Sequence, residues 1–122
     1  LAAPLGGLLS APHGAICARL LPLVMCANIA ALRARHPTSI TLERYKDVAR
    51  LLTRIPAAKA EDGVAFVERL CRDLSIRPLG EFGLQTAHFP LLVQQAQQSS
   101  SMKGNPIRLT DDELSAILAA AL

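Results

Sequence analysis

LSAPHGAICARLLPLVM, residues Leu9 to Met25, decides how this chain is read. A histidine stands between a proline and a glycine, and a long apolar run follows at once. The Pro-His-Gly turn marks a passage from loop to helix. From about Ala15 to Ala34 only Pro22 interrupts a helical pattern. Ile16, Leu20, Leu21, Leu23, Val24, Met25, Ile29 and Leu32 surround this helix, and a helix apolar on all sides is buried on most of them. Pro22 lacks a backbone donor and is expected to kink it near the middle. Arg19, its only charge before Arg33, needs a carboxylate or a route to water.

Working outward, "RHPTSIT" ends this helix, because the residue before a proline is driven out of the α region. His36 is read as a helix-end residue. Thr41 caps a second helix, Leu42 to Ile55, whose apolar residues Leu42, Tyr45, Val48, Ala49, Leu52 and Ile55 share one face. Val64 to Ile76 repeats the pattern through Val64, Val67, Leu70, Cys71 and Leu74. Beyond the glycine loop "RPLGEFGLQT", Thr86 caps a helix that tolerates Pro90 in its first turn and carries Phe89, Leu92, Val93 and Ala96. "QQSSSMKGNP" is an exposed loop. The last helix opens on "TDDE", with Thr110 as cap, Glu113 reaching back and two aspartates at the positive helix end. Leu114, Ile117, Leu118 and Ala121 form its stripe. No segment alternates with period two, and there is no internal repeat. The expected architecture is a single all-α domain over residues 1–122, a bundle of about five or six helices.

Composition supports this. The 122 residues suit one domain. Hydrophobic residues make up 51% and aromatic ones 3%, so the apolar mass is mostly Ala and Leu, both strong helix formers. The net charge is only +3, with arginines spread among acids and few rings for bases to stack on, which argues against a nucleic-acid partner. The opening "LAAPLGGLLSAPHGA" lacks an initiator Met and a basic n-region, so it reads as part of a longer chain rather than a signal peptide. The apolar run Leu20–Leu32 is too short to span a bilayer, so no membrane role is expected. Cys17, Cys26 and Cys71 are an odd count without framework spacing. They read as small buried thiols in a reducing, cytoplasmic compartment.

His13 is the candidate for chemistry. A rigid turn could present its neutral imidazole to a metal, with Gly14 leaving room for close approach. The turn alone favours a structural or surface histidine. Cys17 lies one helical turn on, and the His-x3-Cys pair could supply two metal ligands. A closed site needs about four, and His36 and His88 stand in unrelated segments. His88 is expected to face solvent. "TDDE" is read as a capping box rather than a carboxylate dyad, and "SSSMKGNP" lacks the spacing of a phosphate loop.

"LAAPLGGLLSAPHGAICARLLPLVMCANIAAL", "LGEFGLQTAHFPLLVQQA" and "SSSMKGNPIRLTDDELSAILAAAL" together resemble the iron-containing (group III) alcohol dehydrogenase family. The resemblance covers nearly the whole chain, and its order of motifs, "PHG" then "LLP…N" then Asn-Pro and a Leu-Thr-capped helix, carries it. It implies the C-terminal helical domain of a two-domain enzyme of the dehydroquinate synthase-like fold. The N-terminal nucleotide-binding domain would then be this chain's partner, and a homo-oligomer is possible. In that family an Asp and three His hold iron, sometimes zinc, between the domains. By resemblance His13 is the last of these, and the other ligands lie upstream of Leu1. The implied activity is hydride transfer between a small alcohol and an aldehyde or ketone, with NAD(P) as acceptor. The chain alone would then bind neither cofactor tightly and would not turn over. Many members carry a second His where Ala3 stands, so a different substrate subgroup is implied. Maleylacetate reductases are relatives that work without metal, and a stand-alone helical interaction domain is the non-enzymatic alternative.

Overall fold

A computed structural model describes all 122 residues. Six α-helices follow one another without a strand: α1 Ala2–Leu8, α2 His13–Arg35, α3 Ile40–Thr53, α4 Ala60–Asp73, α5 Phe89–Gln98 and α6 Asp111–Ala121. Short 3-10 turns fill Leu79–Phe82, Thr86–His88 and Ser100–Gly104. The all-α bundle expected from the sequence is what forms.

α2 is the axle. It packs against α4, α6, α1 and α3. Ile16, Leu20, Met25, Ile29, Ala31 and Leu32 are buried along it. Its 23 residues exceed the apolar run that marked it, and by length and composition it could cross a membrane. Its contacts are those of a core helix. One continuous core joins it to Leu5, Leu79, Leu92, Leu109, Leu114 and Leu118, all essentially fully buried.

Pro22 sits inside α2 without breaking it. A proline at this position cannot donate to the carbonyl four residues earlier, here Ala18. The Cys71 thiol of α4 donates to that same Ala18 oxygen at 3.4 Å. A side chain from a neighbouring helix thus supplies, weakly, the donor that the proline withholds.

α3 and α4 make the closest pair. A Cβ at Gly63 would lie 3.1 Å from both Cα and Cβ of Ala49, so glycine here sets how near the helices approach. α4 begins at Ala60, earlier than the apolar pattern suggested, because the Asp62 carboxylate accepts from the Lys59 backbone N–H at 2.7 Å. α3 ends on Arg54 in the left-handed region, φ 58°. Its cap is Ser39, whose hydroxyl accepts from the Thr41 N–H, so Thr41 lies inside the helix rather than capping it.

Several other expectations are corrected. α1 escaped the sequence reading because it contains Pro4, Gly6 and Gly7. A proline in a first turn costs no hydrogen bond, and Leu5, fully buried, anchors the segment against glycine's low propensity. Thr86 belongs to a 3-10 turn, and α5 starts at Phe89 with Pro90 in its first turn. His88 does not simply face solvent. It is half-buried, and its Nδ1 accepts from the Gln85 N–H at 3.2 Å. All three cysteines are free, but Cys17 and Cys26 are exposed and Cys71 is half-buried. α2 is apolar on every side, so periodicity could not tell which of its faces meets solvent. Thr110 and Glu113 form the expected capping box, with bonds of 3.2 Å and 2.7 Å.

Candidate functional site

The site is built at the start of α2. Pro12 holds extended backbone at the N-cap, φ −58° and ψ 134°, and its carbonyl accepts from the N–H groups of Ala15 and Ile16. A fixed φ suits this position, and proline cannot continue a helix backwards. The helix therefore starts abruptly, and His13 is its first residue.

His13 is exposed. Its ring leans over α1, where a Cβ placed on Gly6 would stand 3.8 Å from Nδ1. The other nitrogen, Nε2, lies 3.4 Å from the Cys17 sulfur. Nothing lies within 4 Å of a Cβ placed on Gly14, so this side of the turn is open. His36 and His88 stand far along the chain from it, just past the other end of α2 and before α5. No group of three or more His, Cys, Asp or Glu side chains converges anywhere in the chain. The chain therefore presents one imidazole and one thiol side by side, and no complete metal shell.

Beside this pair lies a pocket of about 220 Å³ with walls from Leu20, Leu21, Val24, Met102 and Leu114, and Cys17 among its lining residues. Leu21 is half exposed at 50%. This gives α2 an apolar stripe open to solvent, continuing from His13 and Cys17 at four-residue steps.

Two polar features hold the surrounding wall, and the partners in each were not apparent in the sequence. The Asn28 and Asn105 side-chain amides donate to each other at 3.0 Å and 2.7 Å. Asn28 also donates to the Tyr45 hydroxyl at 3.2 Å, and Asn105 to the Ile107 carbonyl at 2.7 Å. Asn28 is 2% exposed, so the pair rivets the Ser100–Gly104 turn onto α2 in a dry place. The only sequence signal was an asparagine inside an apolar helix. Arg19, expected to need a carboxylate or a route to water, donates to the Ala120 and Ala121 carbonyls at 2.8 Å and 3.3 Å, the first of these bonds at the exposed surface. Those carbonyls have no partner within α6, and the cation meets the negative helix end.

At the outer end of α2, Arg35 grips Glu113 in a fork, with bonds of 2.8 Å and 3.1 Å. That pairing, together with the Thr110 backbone bond, holds the Glu113 carboxyl below its ordinary value against the opposing effect of burial. Arg33 pairs with Glu61 on α4 and lowers that carboxyl likewise.

The fold and the site define an all-helical domain that offers a histidine and an apolar pocket on an open face. The Fe-containing alcohol dehydrogenase family, C-terminal, matches residues 1–122, and the chain belongs to this family. The chain is 32% identical to the 1,3-propanediol dehydrogenase of Klebsiella pneumoniae, over 96% of its own length and 30% of that protein. It is 32% identical to the lactaldehyde reductase of Escherichia coli K12, over 93% of its length and 29% of that enzyme. The crystal structure of a 1,3-propanediol oxidoreductase superposes with a TM-score of 0.83 at 30% identity, covering 99% of this chain and 31% of the other. The chain thus spans under a third of these relatives' length.

Proposed function

We propose that this chain is the C-terminal helical domain of a cytoplasmic, metal-dependent, NAD(P)-linked alcohol dehydrogenase acting on small alcohols. The observation that carries the reading is His13. Its imidazole stands exposed at the first position of α2, with one nitrogen against α1 and the other unengaged except by a thiol. A neutral imidazole of this kind is a metal donor, so the residues present fit one part of an ion's shell. The remaining donors, an Asp and two His by family resemblance, come from upstream of Leu1.

When bound, the ion would supply Lewis acidity toward an alcohol oxygen, and NAD(P) would supply the hydride acceptor. The chain's own residues orient and exclude. Pro12 fixes where α2 begins and so aims the His13 ring. Leu20, Leu21 and Val24 offer the carbon skeleton of a small substrate an apolar wall and keep water from it. The open apolar stripe of α2 faces the nucleotide-binding domain.

The test is alcohol-dependent NAD(P) reduction. The full-length protein should catalyse it, and the 122-residue chain should not, since it lacks the nucleotide site and most of the donors. Turnover by the short chain would refute the division of labour. Undiminished activity after the full-length protein is stripped of metal would favour the metal-independent, maleylacetate reductase-like alternative.

A further inference from the structure

We propose that the pocket beside His13 takes the unsubstituted hydrocarbon tail of a linear alcohol, and that it discriminates against a second hydroxyl on that tail. The inference rests on the reading of His13 and α2 given above, and names the substrate class of that same site. It departs from the diol in the name of the 1,3-propanediol dehydrogenase to which the chain is similar.

Cys17 ties the pocket to the histidine. Its sulfur lies 3.4 Å from His13 Nε2, and the same residue lines the pocket. Leu20, Leu21 and Val24 carry the wall on along α2. Met102 and Leu114 close it from the Ser100–Gly104 turn and from α6. Nine of the ten lining residues are hydrophobic, so a tail that enters beside His13 meets almost nothing polar.

The few polar groups at its border are already engaged. Asn105, the exception in the lining, donates its amide to the Asn28 side chain and the Ile107 carbonyl, and its oxygen accepts from Asn28. The Cys17 thiol is taken by the His13 ring, and the Leu1 nitrogen by the Met102 sulfur at 3.7 Å. The open side of the pocket is the α2 stripe that faces the nucleotide-binding domain in the reading above, so water is excluded there too. A second hydroxyl held in this place gives up its bonds to water and finds no replacement. An alkyl tail gives up nothing and gains the burial of each methylene.

Size sets the length of the tail. A dry apolar cavity of about 150 Å³ holds a benzene ring. The 220 Å³ here therefore has room for about five or six carbons.

The experiment measures kcat/KM of the full-length protein, at saturating NAD(P), for the alcohols from ethanol to 1-hexanol and for 1,5-pentanediol. The value should climb about fourfold with each methylene as far as 1-pentanol. 1,5-Pentanediol should fall about ten- to a hundredfold below 1-pentanol. Val24→Thr keeps the shape of the wall and adds a hydroxyl, and Leu21→Gln places an amide at a half-exposed position that tolerates it. Either should narrow the gap between pentanol and pentanediol by about tenfold. A second readout needs no turnover. In protein labelled at its methionine methyl groups, 1-pentanol should shift the Met102 NMR signal, assigned by its loss in Met102→Leu, and the diol at equal concentration should not. A diol used as well as pentanol, rates flat with chain length, a gap unmoved by both variants, or a Met102 signal indifferent to pentanol would overturn the proposal and leave alcohol oxidation at His13 standing. Absence of NAD(P) reduction with every one of these alcohols would overturn the reading beneath it as well.

Discussion

Replacing Asn28 or Asn105 by alanine should destabilise the fold by similar amounts, and the two effects should not add. Asn28→Ala removes three hydrogen bonds, two shared with Asn105 and one to Tyr45. Asn105→Ala removes the same two shared bonds and one to the Ile107 carbonyl. At about 1 kcal/mol for each bond, either variant loses about 3 kcal/mol. The double variant loses four distinct bonds and so about 4 kcal/mol, less than the sum of the singles. The difference, a coupling of about 2 kcal/mol, is the value of the reciprocal amide pair. Urea unfolding followed by helical circular dichroism measures it. With a slope of about 2 kcal/mol per molar urea, each single variant moves its midpoint down by about 1.5 M. Additivity within about 0.5 kcal/mol would mean that the two amides do not act as a pair.

Two further outcomes follow from particular contacts. Cys71→Ala should destabilise the chain by about 1 kcal/mol, since it leaves the Ala18 carbonyl without a donor. In a Pro22→Ala background the backbone supplies that donor, so the loss should shrink toward the packing contribution alone; an undiminished effect would show that the thiol does not serve the proline gap. Acid should weaken the fold through Glu113, Glu61 and Glu43, all held below the carboxylate value of 4.5, foremost by hydrogen bonds from Arg35, Arg33 and Lys46 respectively. Their folded values lie below the unfolded one, so their contribution is complete above about pH 4.5 and fades as pH falls through the folded values. These pairs are largely exposed, so the effect is small and shrinks in high salt; Glu113→Gln should flatten part of the acid limb, and an unaltered limb would count against it.

What the sequence disclosed was whatever depends on near neighbours. The capping box at Thr110 is legible because a threonine and a glutamate three apart satisfy each other whatever surrounds them. α2 was legible because nothing in Ala15–Ala34 except Pro22 disfavours a helix, and His36 as its end because Pro37 follows. Features that depend on distant packing were not. α1 forms only because Leu5 finds the core, and its glycines concealed it. The exposure of Cys17 and Cys26 could not be read from a helix that is apolar on every side. Arg19 found two carbonyls at the far end of the chain, which no local rule could supply. For the site, local rules placed His13 at an abrupt helix start and noticed Cys17 one turn on. They could not show that Nε2 and Sγ meet at 3.4 Å, nor that an apolar pocket adjoins them. No complete shell could be read, because no group of three or more His, Cys, Asp or Glu side chains converges in these residues.

The most direct test of the His13 role is the metal content of the purified full-length protein, compared with its His13→Ala variant. His13 is exposed, so the variant should fold as the parent does, which circular dichroism checks. Removal of one ligand should then strip most of the metal and abolish alcohol-dependent NAD(P) reduction in parallel. A folded His13→Ala protein that keeps its full complement of metal would contradict the assignment.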